Sequence, residues 1–250
     1  MITAFYEALQ SEGLWRLLIA AAVGGLVRGF AGFGGALIYM PAAATVLPPV
    51  WALITLTLMD IAGPLPNLRG AWQAARRREV AVLLSGAVVA LPIGVWLLSR
   101  LPQDPFRWGL SVLVVLVLAV MASGWRYRRA IGERLVAGIG VLGGFMGGLT
   151  GMAGPPVIVF YMAAGHSPLV MRANLILFFM VIDCLVLGIL GVSGLLESVP
   201  VFVAVLSAPV YMLGNLLGGR LFDPAHARFY RTVAYGVIAA SAVLGLPLWD

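Results

Sequence analysis

One arginine, two aspartates and two glycine-rich interruptions are the features of this sequence whose residue types and spacing point to chemistry. Arg28 stands in an otherwise apolar stretch with no acid nearby in sequence. A guanidinium in such a setting is costly unless paired, so it marks a functional position. Its planar fork matches the oxygens of a sulfonate, a carboxylate or a phosphate. Contact with an anionic substrate is one reading of it; a structural pair with Asp60, or snorkelling toward an interface, is the other. Asp60 and Asp183 are acids inside apolar runs. Each suits proton coupling, and each equally suits a pair with an arginine or a cap on backbone freed at Pro64 and Pro66.

The interruptions are Arg28–Gly35 and Gly147–Gly154, each within a longer glycine-rich segment, Gly24–Gly35 and Gly143–Gly154. A shift of 119 residues superposes five of their glycines: 24, 25, 29, 32 and 35 on 143, 144, 148, 151 and 154. The same shift puts Pro49 on Pro168 and Thr55 on Asn174. A shift of 120 puts Gly94 on Gly214, Arg100 on Arg220 and Leu101 on Leu221. One unit therefore occurs twice, as residues 1–128 and 129–250, together forming one membrane domain. Paired glycine and proline breaks at matching positions mark the binding site of many transporters. A helix that restarts after a break presents unpaired N–H groups and its positive dipole end, which attract an anion. Pro155 suits a first helical turn, where its missing N–H costs nothing. The candidate substrate-binding set is Arg28, Gly32, Gly34, Gly35, Thr55, Thr150, Gly151, Ala153, Gly154, Pro155 and Asn174. The competing use of the glycines is close helix packing, and that of Thr55 and Asn174 is hydrogen bonding between helices.

The elements that position these residues follow from hydropathy. Hydrophobic residues make up 62% of the chain and charged residues 10%, with a mean hydropathy of +1.02. A water-soluble surface needs roughly 25% charge, so lipid is the solvent here. The sequence predicts an all-α membrane protein. Each unit opens with a broken or re-entrant helix pair: 14–27 and 36–47 in the first, 135–146 and 155–164 in the second. Three full-length spans follow in each, near 50–68, 80–99 and 106–125, then near 173–192, 199–218 and 229–248. Each broken piece, at roughly 15–21 Å, is shorter than a bilayer core of roughly 30 Å.

All sixteen basic residues are arginines, and they cluster in short connections. If each broken element makes an even number of crossings, the second unit is inverted. Twelve arginines then share one face and three (Arg16, Arg100 and Arg107) the other, with Arg28 in the break. The positive-inside rule favours this arrangement over the nine-to-six split of the alternative. It places both termini outside the cytoplasm of an inner-membrane protein. The charge thus reads as orientation and not as nucleic-acid binding. The acidic residues Glu7 and Glu12 at the N-terminus argue against a removable signal peptide.

The rest of the sequence narrows the chemistry. No GxSG, HExxH or P-loop pattern is present, so no enzyme is expected. His166 has no second ligand at metal spacing and reads as a loop residue; no metal site is expected. Cys184, the single cysteine, reads as a small buried hydrophobe. Tyr39, Tyr161 and Asn215 are weaker candidates for the site.

The two breaks, the segment Gly143–Pro156 and the following Arg172-Ala173-Asn174 resemble the TauE/SafE family of sulfite and organosulfonate exporters over essentially the whole chain. The resemblance implies a secondary transporter, an exporter of sulfite, sulfoacetate or related small sulfur anions, without a cofactor; the paired breaks themselves suit alternating access. An anion channel, or a carrier of other small carboxylates, is the alternative. The lipid bilayer and a small anion are the expected partners, with a homo-oligomer left open. Gly151, Gly154, Pro155 and Pro156 fit the family pattern. In the first break Ala36 and Leu37 stand in place of the paired prolines, and Arg28 has no counterpart, since Gly147 occupies its place.

Overall fold

The computed structural model describes residues 2–10, 13–31, 33–65, 68–123, 132–163, 166–221 and 227–248. Among them are twelve helices: α1 (Ile2–Gln10), α2 (Leu14–Ala31), α3 (Gly35–Ala43), α4 (Pro49–Ala62), α5 (Leu68–Ala74), α6 (Arg77–Leu98), α7 (Gln103–Ala122), α8 (Glu133–Thr150), α9 (Gly154–Ala163), α10 (Pro168–Val192), α11 (Ser198–Leu221) and α12 (Ala227–Leu244). Backbone groups in lipid must be satisfied within their own segment, which is why a chain this apolar is helical.

The duplication has a structural counterpart in the described helices. α2, α3 and α4 begin at residues 14, 35 and 49, and α8, α9 and α10 begin at 133, 154 and 168. Each of the three pairs of starts is 119 apart. The breaks are narrower than the expected 28–35 and 147–154. α2 continues through Arg28 to Ala31, and α8 through Gly147 to Thr150. Each therefore has 18 residues, about 27 Å of helix, nearly a full hydrocarbon thickness. The second pieces, α3 and α9, have 9 and 10 residues, about 13–15 Å.

α6, α7, α10 and α11 are long and apolar enough to cross a membrane. The span expected near 50–68 is divided instead. α4 ends at Ala62, and the chain restarts as α5 only at Leu68. Pro64 lacks the N–H group that would carry α4 onward, so α4 has 14 residues and reaches about 21 Å. α6 has 22 residues, about 33 Å. Trp72 lies under the Arg77 guanidinium near its start and Trp96 under that of Arg100 near its end, at 5.2 and 5.6 Å. Such aromatic and arginine pairs belong at the two water–lipid boundaries. Between them Val88, Val89 and Ile93 are exposed, as a lipid-facing side requires. Cys184 on α10 is also exposed, contrary to expectation, because α10 turns that face away from its packing neighbours.

Two compact units form, and neither follows the boundary at 128/129. Unit 1 comprises Met1–Gly63, Leu101–Ala119 and Leu195–Asp250; unit 2 comprises Pro64–Arg100 and Val120–Gly194. In unit 1, α2 packs mainly on α11; in unit 2, α8 packs mainly on α6. The long first piece of each break thus lies against a long helix of the other half. Glycine makes this approach possible. A Cβ on Gly25 or Gly29 would strike the α11 backbone at Tyr211 and Asn215, and one on Gly144 or Gly148 the α6 backbone at Ala87 and Leu91. In lipid, where apolar burial gives no drive between helices, such close backbone contact is what holds them together.

Unit 1 is tied further by polar contacts at helix ends. The Gln103 side chain donates to the Ala44 carbonyl at 2.9 Å, and Ser241 on α12 donates to the Ile38 carbonyl of α3 at 2.7 Å. Arg107, 3% exposed, donates from Nε to the Gly245 carbonyl and from Nη2 to that of Leu246, both at 3.1 Å. Its charge compensates the carbonyls left unpaired where α12 ends.

Candidate functional site

The five superposed glycine pairs divide by what each glycine touches. Gly25 with Gly144, and Gly29 with Gly148, are packing positions, the competing use named for them. Gly24 and Gly143 lie where the two pieces of a break meet: a Cβ would come within 3.1 Å of the Gly35 carbonyl in one and 3.3 Å of the Ala153 carbonyl in the other. The turns themselves rest on Gly34, the N-cap of α3 with φ 97°, and Gly151, the C-cap of α8 with φ 70°. Both conformations favour glycine. Gly32 lies outside the described residues. Gly35 and Gly154 open α3 and α9, and Pro155 follows as the second residue of α9.

Beside the start of α3 the two units differ in chemistry. Arg28, in the last turn of α2, forms an ion pair with Asp60 of α4 through Nη1. The same nitrogen donates to Tyr211 Oη of α11 at 3.0 Å, and Tyr211 Oη donates to Asp60 Oδ1 at 2.5 Å. The Arg28 and Asp60 side chains are 14% and 12% exposed, and Tyr211 is fully buried. The structure therefore contains the Arg28–Asp60 pair and adds a phenol that the sequence reading did not include. A Cβ on Gly35 would stand 2.5 Å from Tyr211 Oη, so this hydroxyl lies directly against the first residue of α3. Asn215, one turn beyond Tyr211, borders the same region: its Nδ2 is 3.5 Å from where a Gly63 Cβ would be.

Unit 2 has no ionic group at the equivalent positions. Gly147 stands for Arg28 and Phe179 for Asp60 at the shift of 119, and Leu91 for Tyr211 at the shift of 120. The Phe179 ring lies 3.3 Å from where a Gly154 Cβ would be. Thus a polar cluster faces the start of α3, and an aromatic ring faces the start of α9. Thr150, 4% exposed, donates to the Met146 carbonyl at 2.8 Å and accepts from the Met152 N–H at 3.4 Å. It satisfies backbone freed at the break. Ala153 is buried beneath Gly147.

Thr55 and Asn174, equivalent by sequence and both fully buried, bond to protein groups in different ways. Thr55 accepts from Tyr39 of α3 at 3.1 Å and donates to the Ala52 carbonyl at 2.9 Å. Asn174 accepts from the Arg76 N–H at 2.8 Å and donates to Glu79 Oε1 at 3.3 Å, joining α10 to the start of α6. Glu79 also lies 2.9 and 3.1 Å from His166 Nε2. His166 is thus no loose loop residue: its side chain is 10% exposed and Tyr161 lies 5.9 Å away ring to ring. Glu79 lies 87 positions from it in the chain, beyond any local motif. Asp183 is half-buried on α10. No group of three or more His, Cys, Asp or Glu able to hold a metal occurs among the described residues. A recess of about 730 Å³ in unit 2, lined by Leu65, Arg69, Trp72 and Leu177 among others, contains none of the predicted site residues.

Among the described residues, four helices long and apolar enough to cross a membrane, together with the repeated breaks, mark a polytopic membrane protein. The sulfite exporter TauE/SafE family model matches residues 17–244, and the chain belongs to that family. It is 28% identical over 242 residues to a probable sulfite/organosulfonate exporter TauE of Cupriavidus necator, covering 94% of this chain and 93% of the relative. No solved structure matches it.

Proposed function

We propose that the chain is a secondary carrier of small sulfur-containing anions, sulfite or short sulfonates, which it exports by alternating access. The observation that carries this reading is the pair of breaks at equivalent positions, each followed by a helix whose first N–H groups lack partners within the helix. Arg28 gives the first break the one cation among the predicted site residues. The sulfur class follows the family and the naming of the Cupriavidus necator relative. Alternating access rests on the duplication, with the two repeats inverted and twelve arginines on the cytoplasmic face.

Counterflow in proteoliposomes tests it. Vesicles preloaded with unlabelled sulfoacetate should take up labelled sulfoacetate faster than empty ones. Flux without such trans-stimulation would make the protein an anion channel, and preference for a carboxylate over sulfite and sulfoacetate would change the substrate class.

A further inference from the structure

The Arg28–Asp60–Tyr211 cluster has a property that a simple anion site lacks: an anion already occupies it. We propose that Asp60 is a built-in competitor for the transported anion, holding Arg28 while the site is empty and giving it up only to an oxyanion. The inference rests on the carrier reading above and specifies how its site discriminates.

Three observations converge. Arg28 Nη1 binds both Asp60 and Tyr211 Oη, so one guanidinium nitrogen already serves two oxygens. Tyr211 Oη lies against Gly35 at the start of α3, so an anion received by the first N–H groups of that helix stands next to the Arg28 charge. And the whole cluster is confined to one unit, with Gly147, Phe179 and Leu91 at the equivalent positions. In unit 2 the helix equivalent to α4, α10, is joined to α6 through Asn174, with no ion pair at the positions matching Arg28 and Asp60. The groups facing Asp60 from α2 and α11 are the Arg28 guanidinium and the neutral Tyr211 phenol.

Competition of this kind selects by chemistry. Asp60 and the substrate are both anions drawn to one cation, so each weakens the hold of the other. An entering anion must offer oxygens to both the planar guanidinium and the phenol in place of the carboxylate. A sulfite or sulfonate group does so; chloride, a sphere, matches neither the fork nor the pairing geometry. Without an incoming anion the buried guanidinium remains neutralised by Asp60, which avoids the cost of an unpaired buried charge.

The test is a thermal-shift titration of purified wild-type protein and Asp60→Asn with sulfite, sulfoacetate and chloride. The variant should unfold at lower temperature without anions, bind sulfoacetate about tenfold tighter or more, and regain its lost stability as the anion is added. Its preference for sulfoacetate over chloride should shrink, because no carboxylate then has to be displaced. Equal or weaker sulfoacetate binding by Asp60→Asn overturns the inference while leaving the carrier reading intact. Wild-type protein that binds none of the anions overturns both. Should Asp60→Asn fail to fold, infrared difference spectra of wild-type protein carrying isotope-labelled aspartate decide the matter. The carboxylate stretch should shift when sulfoacetate is added, and an unchanged band rules the displacement out.

Discussion

Arg28 shows how far single residues can be read from a sequence. Its apolar surroundings announce a functional or paired charge, with substrate contact and a pair with Asp60 as the two readings; the structure shows the pair. Tyr211 was missed because repeat arithmetic sets it against Leu91; a residue without a symmetric counterpart gives no signal in a search for symmetry. His166 was misread for another reason. Its neighbours Ser167 and Pro168 look like a surface turn, while its partner Glu79 lies in the other half of the chain. Arg107 was counted among loop charges, yet it is buried and caps the carbonyls of Gly245 and Leu246. Charge-assisted bonds of this kind contribute roughly 1.5–3 kcal/mol each, and replacing Arg107 leaves carbonyls buried without a partner. Arg107→Met, which keeps the length of the side chain, should therefore lower stability by about 3 kcal/mol in a chemical or thermal unfolding series. A variant that melts with wild-type protein would show that the cap is dispensable.

At the scale of elements, glycine was the misleading residue. In a soluble helix it weakens the element, so the glycines of 28–35 and 147–154 suggest a break over that whole stretch. In lipid the same residue lets backbones touch, and α2 and α8 accordingly run on through Gly29 and Gly148 before turning. Only the last few residues of each cluster form the turn, where φ is positive at Gly34 and Gly151. The division of the expected span at 50–68 was legible in Pro64 and Pro66 but was outweighed by the continuous hydropathy around them. The packing role separates cleanly from mere helical glycine. Gly144→Val should destabilise unit 2 by upwards of about 3 kcal/mol, since its side chain meets the α6 backbone at Ala87. Gly188→Val on α10, with nothing near a Cβ there, should melt within about 1 kcal/mol of wild-type protein. Similar melting of the two variants would remove close packing as the reason for Gly144.

For the whole molecule, the shift of 119 is legible in the glycines, and three helix starts fall at the same spacing. The partnership between α2 and α11, and between α8 and α6, could not, because hydropathy and periodicity report which face of a helix is apolar and not which helix covers it. Orientation is a separate matter that depends on arginine placement. If twelve arginines lie on the cytoplasmic face, a green fluorescent reporter inserted in the connection after Gly124 should fluoresce. Alkaline phosphatase fused after Asp250 should be active outside the cytoplasm. The reverse pattern would refute the inverted arrangement with external termini.

The exchange of partners between halves also bears on how the protein is made. α2 leaves the ribosome long before its packing partner α11, which begins only at Ser198. Unit 1 therefore cannot close during synthesis of the first half. α8 is different: its partner α6 precedes it, so the framework of unit 2 can assemble as soon as the middle of the chain has emerged. Translation thus completes unit 2 while unit 1 is still open, and the glycine-lined face of α2 must wait in the membrane with Arg28 near its end until α11 arrives to cover it.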